Sequence, residues 1–298
     1  MVSSNTSTSE QQAGLGPYSA NPPLVSVLIP TWNSERTIAQ SIESVLSQTF
    51  QDFELIVVDD QSTDTTFSIL ERYKGNARVR VYRNETNLGL MPNFNMVSTY
   101  ARGKYLKFLC ADDFLEPSAL EQVVEIMERD SQVALVRVYA VKQNEDGQRI
   151  SSERMSFRGK QDGNRIIRRS ALFMTNRYCN TPSHTFFRRI DFEQVGRFPN
   201  INDFEGWGND LSTNLKLIKN KKIYFLDQYL LQRELSTHQG THRVYLDPDK
   251  FFGSMRHFRK HYLEEGLISK ALYYVSVLVS KPVNTCLFHV KRYLRKRL

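Results

Sequence analysis

The sequence predicts an α/β protein, with a mostly parallel central sheet flanked by helices and a helical C-terminal extension. Three observations carry that prediction. Short apolar runs recur, each the length of a buried strand. Amphipathic stretches at helical spacing separate them. Turn-forming and cap-forming residues close each run. Strand and helix alternating in this way are the pattern of a parallel sheet with helices on both faces.

The elements follow in order. LVSVLI (24–29) is the first run, and Pro30 is expected to end it. In SERTIAQSIESVLSQTF, Ile38, Ile42, Val45 and Leu46 share one helical face, with Asn33 or Ser34 as the N-cap. ELIVV (54–58) is the second run and DDQSTD closes it, with Thr63 or Asp64 capping a helix through Phe67, Leu70 and Tyr73. RVRVYR (78–83) alternates, so it belongs at an edge or has one wet face. Pro92 suits the first turn of a helix through Phe94, Val97 and Tyr100, and Gly103 its C-terminal end. Tyr105 to Cys110 is the next strand, ending in Asp112 and Asp113. Pro117 starts a helix with Leu120, Val123, Val124 and Met127 on one face, and VALVRVYA (133–140) is a strand.

The second half is less regular. Residues 141–170 read as a charged loop, TPSHTFFRR (181–189) as a strand, and DFEQVGRF (191–198) as a short helix or turn. In DLSTNLKLIKN (210–220), Leu211, Leu215 and Ile218 lie on one helical face, with Asp210 at the N-cap. KKIYFLDQYLLQRE (221–234) reads as strand and rim, and the chain from about 248 as helical.

The chain has 298 residues and a formal net charge of +8, which suits acidic partners such as phosphates or an anionic membrane surface. Part of that charge is the terminal KRYLRKRL. No zinc-finger, RNP-like or arginine-rich pattern supports nucleic acid as a partner. There is no GxGxxG, Walker lysine motif or GxSxG, so dinucleotide oxidoreduction, P-loop hydrolysis and serine hydrolysis lose their usual support. Cys110, Cys179 and Cys286 have neither metal nor redox spacing and suit a reducing compartment. Residues 1–22 are polar, without the apolar core of a signal peptide, and read as a disordered tail.

Ligands of parallel α/β sheets bind beyond the carboxyl ends of the strands. Pro30–Asn33, Asp59–Asp60 and Asp112–Asp113 all fall there. Adjacent aspartates are most often turn or cap chemistry. The functional reading of Asp112 and Asp113 is a divalent cation site, because Mg²⁺ and Mn²⁺ take hard oxygens and often share them with a diphosphate. For Asp59 and Asp60 it is a contact to a nucleoside base or ribose. Asp210 reads either as an N-cap or as a general base, held in place by the helix start. Arg233, His238 and His242 lie in LLQRELSTHQGTHR, read either as a solvated basic loop or as contacts to a diphosphate.

VSVLIPTWNSERTIAQSIESVLSQTFQDFELIVVDDQSTDTT closely resembles the opening of the family 2 glycosyltransferases. NETNLG and ARGKYLKFLCADD resemble the blocks that follow. The resemblance runs strongly from Leu24 to Asp130 and loosely to about Gly240. It implies a GT-A fold over residues 23–245, with a nucleotide-sugar half (23–140) and an acceptor half (141–245), followed by a basic helical extension (246–298). By position it places Pro30, Thr31, Asn33 and Glu35 in the first nucleotide-binding block. Asp60 falls at the base contact, Asp112 and Asp113 at the metal and diphosphate site, and Arg233 at the late Arg block. Asp210 matches the catalytic base. Two residues depart from the family pattern: Cys110 replaces the first Asp of Asp-x-Asp, and Asn209 stands where Glu is common. A thiol is a poor ligand for a hard ion, so Mg²⁺ or Mn²⁺ would rest on Asp112 and Asp113.

The expected activity is inverting transfer of a sugar from a nucleoside-diphosphate donor to a hydroxyl of a glycan or lipid-linked acceptor, in polysaccharide or surface-glycan synthesis. The alternatives are a nucleotide-sugar-binding pseudoenzyme, motivated by Cys110 and Asn209, and a nucleotidyltransferase, disfavoured because PTWNSER is not a glycine-rich basic loop. The expected location is the cytoplasm, with peripheral attachment to the inner face of the membrane through the basic C-terminus. A packed helix with a solvated basic end is the competing reading.

Overall fold

The first apolar run forms β1 (Val25–Thr31), buried along its whole length. In the computed structural model, residues 22–144, 147–152, 157–173, 181–199, 208–234 and 260–276 are described. After β1 come α1 (Ile38–Leu46), β2 (Phe53–Asp59), α2 (Thr66–Glu71), β3 (Val79–Arg83), α3 (Leu90–Thr99) and β4 (Tyr105–Phe108). The chain continues through β5 (Asp113–Leu115), α4 (Ala119–Arg129), β6 (Val133–Gln143), β7 (Arg149–Ser152), β8 (Gly159–Asp162) and α5 (Gly163–Phe173). A 3-10 turn (Pro182–His184) leads into β9 (Thr185–Arg188), α6 (Arg189–Gln194), α7 (Asn209–Ile218) and β10 (Lys222–Glu234).

All ten strands join one sheet in the order β3-β2-β1-β4-β9-β6-β10-β5, with β7 beside β6 and β8 beside β10. The long ladders, β1 with β2 and β6 with β10, are parallel, while β5, β7, β8 and β9 pair antiparallel in short ladders. β9 of the second half lies between β4 and β6, so both halves of the chain share one sheet. Each face of the sheet carries a core. One packs under α1, α2 and α4, through Ile38, Ile42, Leu70, Leu120 and Val123. The other packs under α3, α5, α6 and α7, around Phe94, Phe108, Phe187, Phe192 and Phe198. Phe108 has four of these rings within 6 Å, at 5.1–5.9 Å between centroids.

Several expectations are corrected. Pro30 does not end β1 but pairs with Val58 inside it. The ladder to β4 stops at Leu28 and Phe108, so the missing N–H of Pro30 faces no strand on that side. Helix α1 begins only at Ile38, after a turn in which Ser34 O accepts from Thr37 and Ile38, and neither Asn33 nor Ser34 caps it with a side chain. Gly103 does not close a helix. A Cβ there would lie 2.5 Å from the Ser26 backbone N, so its smallness permits close approach to β1. Residues 141–170 are not a loop but hold the end of β6, β7, β8 and most of α5. β7 has four exposed residues and is held by backbone pairing to β6, which leaves no apolar alternation to read. Of the C-terminal extension, 260–264 and 270–276 are helical; 246–259 and 277–298 lie outside the described residues. Residues 1–21 lie outside them too. No helix among the described residues is long and apolar enough to cross a membrane.

At the amino ends of the strands Glu54, 4 % exposed, acts as a staple. It accepts from Ser26 Oγ (2.6 Å) on β1, from the Arg102 N–H (2.8 Å) before β4, and from the Arg102 guanidinium (3.0 and 3.1 Å). Arg80 on β3 adds an ion pair. Burial pushes the Glu54 pKa up, but the bonds from Ser26 and Arg102 and the charges of Arg80 and Arg102 hold it below the ordinary glutamate value. The stability this contributes is present above the unfolded glutamate pKa and is lost as pH falls through the lower folded value. Losing one member of a fully buried pair costs roughly 3–5 kcal/mol. Arg102 keeps some solvent contact, so Glu54→Ala is expected to cost about 2–3 kcal/mol at neutral pH. Urea unfolding measures it: the midpoint falls, the deficit narrows in acid, and an unchanged neutral midpoint would refute the staple.

Candidate active site

Because β2, β1 and β4 are parallel neighbours, their carboxyl ends fall along one edge of the sheet. The turn after β1 and the turn after β2 are laced together there. Asn33 has a left-handed backbone (φ 46°), donates its N–H to Ser62 Oγ (2.9 Å), and accepts from the Thr63 N–H (2.8 Å). Glu35 accepts from the N–H and hydroxyl of Thr65 (3.0 and 2.6 Å), which hold its carboxyl below the usual range. The Thr31 carbonyl accepts from the Asp60 N–H (2.9 Å), while the buried Thr31 hydroxyl has no hydrogen-bond partner among the described residues.

Two adjacent aspartates at the end of β2 have separate tasks. Asp59 is fully buried and pairs with Arg83 on β3 (3.1 Å). The Asp60 carboxylate accepts from Asn84 (2.7 Å), from the Leu88 N–H (2.8 Å) and from the Gly89 N–H (2.9 Å). That sets the loop before α3. In this arrangement Asp60 shapes the wall beside the site with both of its oxygens.

The two aspartates after β4 also divide. The Asp113 N–H closes a turn onto the Cys110 carbonyl (3.0 Å), and Asp113 then begins β5. Asp113 is fully buried, because the antiparallel register of β5 and β10 sets it opposite Arg233. Arg233 Nε donates to Asp113 Oδ1 (3.3 Å), while Oδ2 is buried with no hydrogen-bond partner among the described residues. Burial pushes the Asp113 pKa up to about 6; Arg233 draws it down, Asp112 pushes it up, and the Ser183 side chain and Lys107 also draw it down. Asp112 remains half-buried. Cys110 Sγ and a carboxylate oxygen from each of Asp112 and Asp113 lie within 4.8 Å of one another. Burial, then the charges of Asp113 and Asp112, pushes the Cys110 thiol up.

Behind this turn lies a cation that the sequence reading missed. Lys107 is fully buried, donates to the Ser183 carbonyl, and sits 4.3 Å from the centroid of the Phe186 ring. Burial lowers its pKa to about 7, and the negative charge of Asp113 opposes that. In an apolar strand, one lysine was the only available signal.

Asp210 lies in the first turn of α7, where Gly208, not Asp210, is the N-cap. Its carboxylate accepts from the Thr181 N–H, and Thr181 has a left-handed φ of 69°. Burial raises the Asp210 pKa, against the pull of the backbone N–H groups and of Arg233. Arg233 therefore acts on both Asp113 and Asp210, which share one electrostatic neighbourhood. The segment from Thr181 to Ser183 spans the gap between them: the Thr181 N–H reaches Asp210, and Ser183 Oγ accepts from the Cys110 N–H (2.9 Å). His184 beside it is buried, bonds through Nδ1 to the Val138 carbonyl (3.0 Å), and is kept neutral by burial and by Arg137 and Arg233. His238 and His242 lie outside the described residues.

The sequence-predicted residues thus gather on one edge in two groups: Pro30, Thr31, Asn33, Glu35 and Asp60 in one, Asp112, Asp113, Asp210 and Arg233 in the other. Also missed was Trp32, 55 % exposed at the end of β1. Leu88 (37 %), on the loop held by Asp60, and Leu90 (58 %), at the start of α3, are exposed. An exposed aromatic between Thr31 and Asn33 was the available signal.

The sheet topology, the family match and the likeness to solved glycosyltransferases together make this a GT-A type of fold. Residues 26–196 match glycosyl transferase family 2, and the chain belongs to that family. It is 37 % identical over 120 residues to an uncharacterized glycosyltransferase of Haemophilus influenzae, covering 40 % of this chain and 37 % of that protein. It is 39 % identical over 105 residues to the UDP-Glc:alpha-D-GlcNAc-diphosphoundecaprenol beta-1,3-glucosyltransferase WfgD of Escherichia coli, covering 35 % and 41 %. The chain thus spans less than half the length of these curated relatives. The crystal structure of Staphylococcus aureus TarS 1-349 with UDP-GlcNAc shares the fold, with a TM-score of 0.64 at 23 % identity over 80 % of this chain and 66 % of that one.

The Asp60 contacts make a direct prediction. A hydrogen bond to a charged group is worth roughly 1.5–3 kcal/mol. Asp60→Ala should therefore speed amide exchange at Leu88 and Gly89 about tenfold or more. The amides within β2 should keep their protection; unchanged exchange at Leu88 and Gly89 would show that the loop holds itself.

Proposed function

We propose that this chain transfers a glycosyl unit, with inversion, from a nucleoside-diphosphate sugar to a hydroxyl of a glycan or lipid-linked acceptor. The observation that carries the reading is the Thr181–Ser183 segment, which binds the Asp210 carboxylate through the Thr181 N–H and the turn that carries Asp112 and Asp113 through Ser183 Oγ. Membership of the family supports it, as do a structural neighbour solved with UDP-GlcNAc and a relative whose name specifies a diphosphoundecaprenol-linked acceptor.

In this mechanism Asp210 takes the proton of the acceptor hydroxyl as its oxygen bonds to the anomeric carbon. The bond from that carbon to the diphosphate breaks, and its electron pair leaves with the diphosphate. Arg233 supplies fixed positive charge at the leaving end. Trp32 offers its exposed ring as a stacking surface for the base, with Leu88 and Leu90 as apolar neighbours. The donor set at Asp112 and Asp113 fits a divalent cation: the carboxylates are within reach of one ion, and Asp113 Oδ2 is a buried acceptor with no hydrogen-bond partner among the described residues. Mg²⁺ or Mn²⁺ held there would neutralise charge developing on the diphosphate.

One kinetic comparison separates the roles. A general base is worth roughly 10²–10⁴-fold, so Asp210→Asn should lose that factor in kcat while its affinity for UDP, measured by calorimetry, is kept. Asp210 must be ionised to act and burial raises its pKa, so the wild-type rate should rise with pH through a limb above the ordinary aspartate range. Asp210→Asn should lack that limb. Stacking on an aromatic ring is worth about 1–3 kcal/mol per base, so Trp32→Ala should weaken UDP about tenfold or more with kcat kept. Full turnover in Asp210→Asn would remove the base assignment and favour another acid–base group.

Attachment to anionic membrane is proposed for the C-terminal extension. Tyr274 (64 %) and Val275 (46 %) are exposed on the helix at 270–276, and KRYLRKRL follows at the terminus. Flotation with anionic liposomes is the measurement: the full chain should float and a truncation after Ser280 should not. Equal recovery of the two in the soluble fraction would remove the idea.

A further inference from the structure

We propose that Cys110 is itself a metal ligand, making the Asp112–Asp113 site selective for thiophilic divalent cations such as Zn²⁺, Co²⁺ and Cd²⁺ over Mg²⁺. The inference rests on the reading of the two aspartates as cation ligands. It concerns what Cys110 adds to them.

Distance is the first argument. Cys110 Sγ and the oxygens of Asp112 and Asp113 are within 4.8 Å of one another. Ligands at zinc distances of about 2.0 Å for oxygen and 2.3 Å for sulfur stand roughly 3.5 Å apart around a tetrahedral ion. Closing the three donors onto one ion therefore takes about an ångström of side-chain movement. The turn already fixes their approach, through the Asp113 N–H on the Cys110 carbonyl and the Cys110 N–H on Ser183 Oγ.

The second argument is the unsatisfied acceptor. Arg233 occupies Asp113 Oδ1, and Oδ2 is buried with no hydrogen-bond partner among the described residues. A bound ion would satisfy it without displacing the arginine. Cys110 has a bland reading too, as a small apolar residue packed against the core beneath α3. That reading leaves Oδ2 with no hydrogen-bond partner among the described residues, although the Ser183 side chain also draws on this carboxyl; coordination serves both residues together.

Ligand softness supplies the selectivity. Thiolate sulfur favours borderline and soft ions, whereas carboxylates alone suit Mg²⁺ and Mn²⁺. On coordination the Cys110 thiol loses its proton to solvent and the ion gains a metal–sulfur bond. Three protein donors leave the ion open positions, which diphosphate oxygens suit.

The test uses the full chain without donor or acceptor, so its result stands apart from glycosyl transfer. Titration with Co²⁺ or Cd²⁺ should raise a sulfur-to-metal charge-transfer band in the ultraviolet. Cys110→Ser, which changes one atom, should abolish the band. It should also weaken Cd²⁺ by at least the ~10-fold that even outer-shell changes cost. Cys110→Asp should abolish the band and reverse the preference toward Mg²⁺ and Mn²⁺. No band in the wild type, or a band that survives Cys110→Ser, overturns the proposal, since the latter assigns it to another cysteine. Unchanged ion preference in Cys110→Asp overturns it equally.

Discussion

Asp113 can be buried because Arg233 lies opposite it across the β5–β10 ladder. An unpaired carboxylate at that depth would cost several kcal/mol or stay protonated. This requirement shapes the topology. The arginine belongs to the last described strand, so β10 must run between β6 and the short β5 to deliver it. The late part of the chain therefore completes the sheet and supplies the partner of the acidic turn. Buried pairs of this kind seldom add net stability. The packing of Phe94, Phe187, Phe192 and Phe198 around Phe108 is the larger source, since losing one buried phenylalanine costs roughly 3–5 kcal/mol.

One residue type serves four purposes along the rim. Asp59 joins β2 to β3 through Arg83, Asp60 holds a loop, and Asp113 anchors β10. Asp210 is held by a backbone N–H from a strained threonine. Chemistry is decided by environment, because the same carboxyl is drawn toward ionisation by donors and away from it by burial.

The link between Asp210 and the cysteine turn is short and stiff. Between Thr181 and Ser183 the chain touches the first through a backbone N–H and the second through a hydroxyl, and Lys107 fastens the same segment from below. A positive φ at a β-branched residue costs about 1–3 kcal/mol and persists where surrounding contacts demand it. Here the contact is the carboxylate proposed to take the acceptor proton.

Much of the fold is legible in the residues themselves. β1, α1, β2, α3 and α4 announce themselves because continuous burial and helical spacing leave local marks, and the placing of the acidic residues at strand ends follows from them. β7 and β8 do not, because exposed strands hold together by backbone pairing that any sequence can supply. Asn33, Glu35 and Asp60 were readable as members of a binding block, but not as ties between loops, since their donors lie about thirty residues away. The sequence by itself determined the parallel first half, the acidic edge and the family. Only the tertiary structure decided which carboxylates are committed to structure, that Arg233 faces Asp113, and that a lysine lies beneath the turn. Register between distant strands and the burial of each charge are set by the assembled sheet, not by any local stretch of chain.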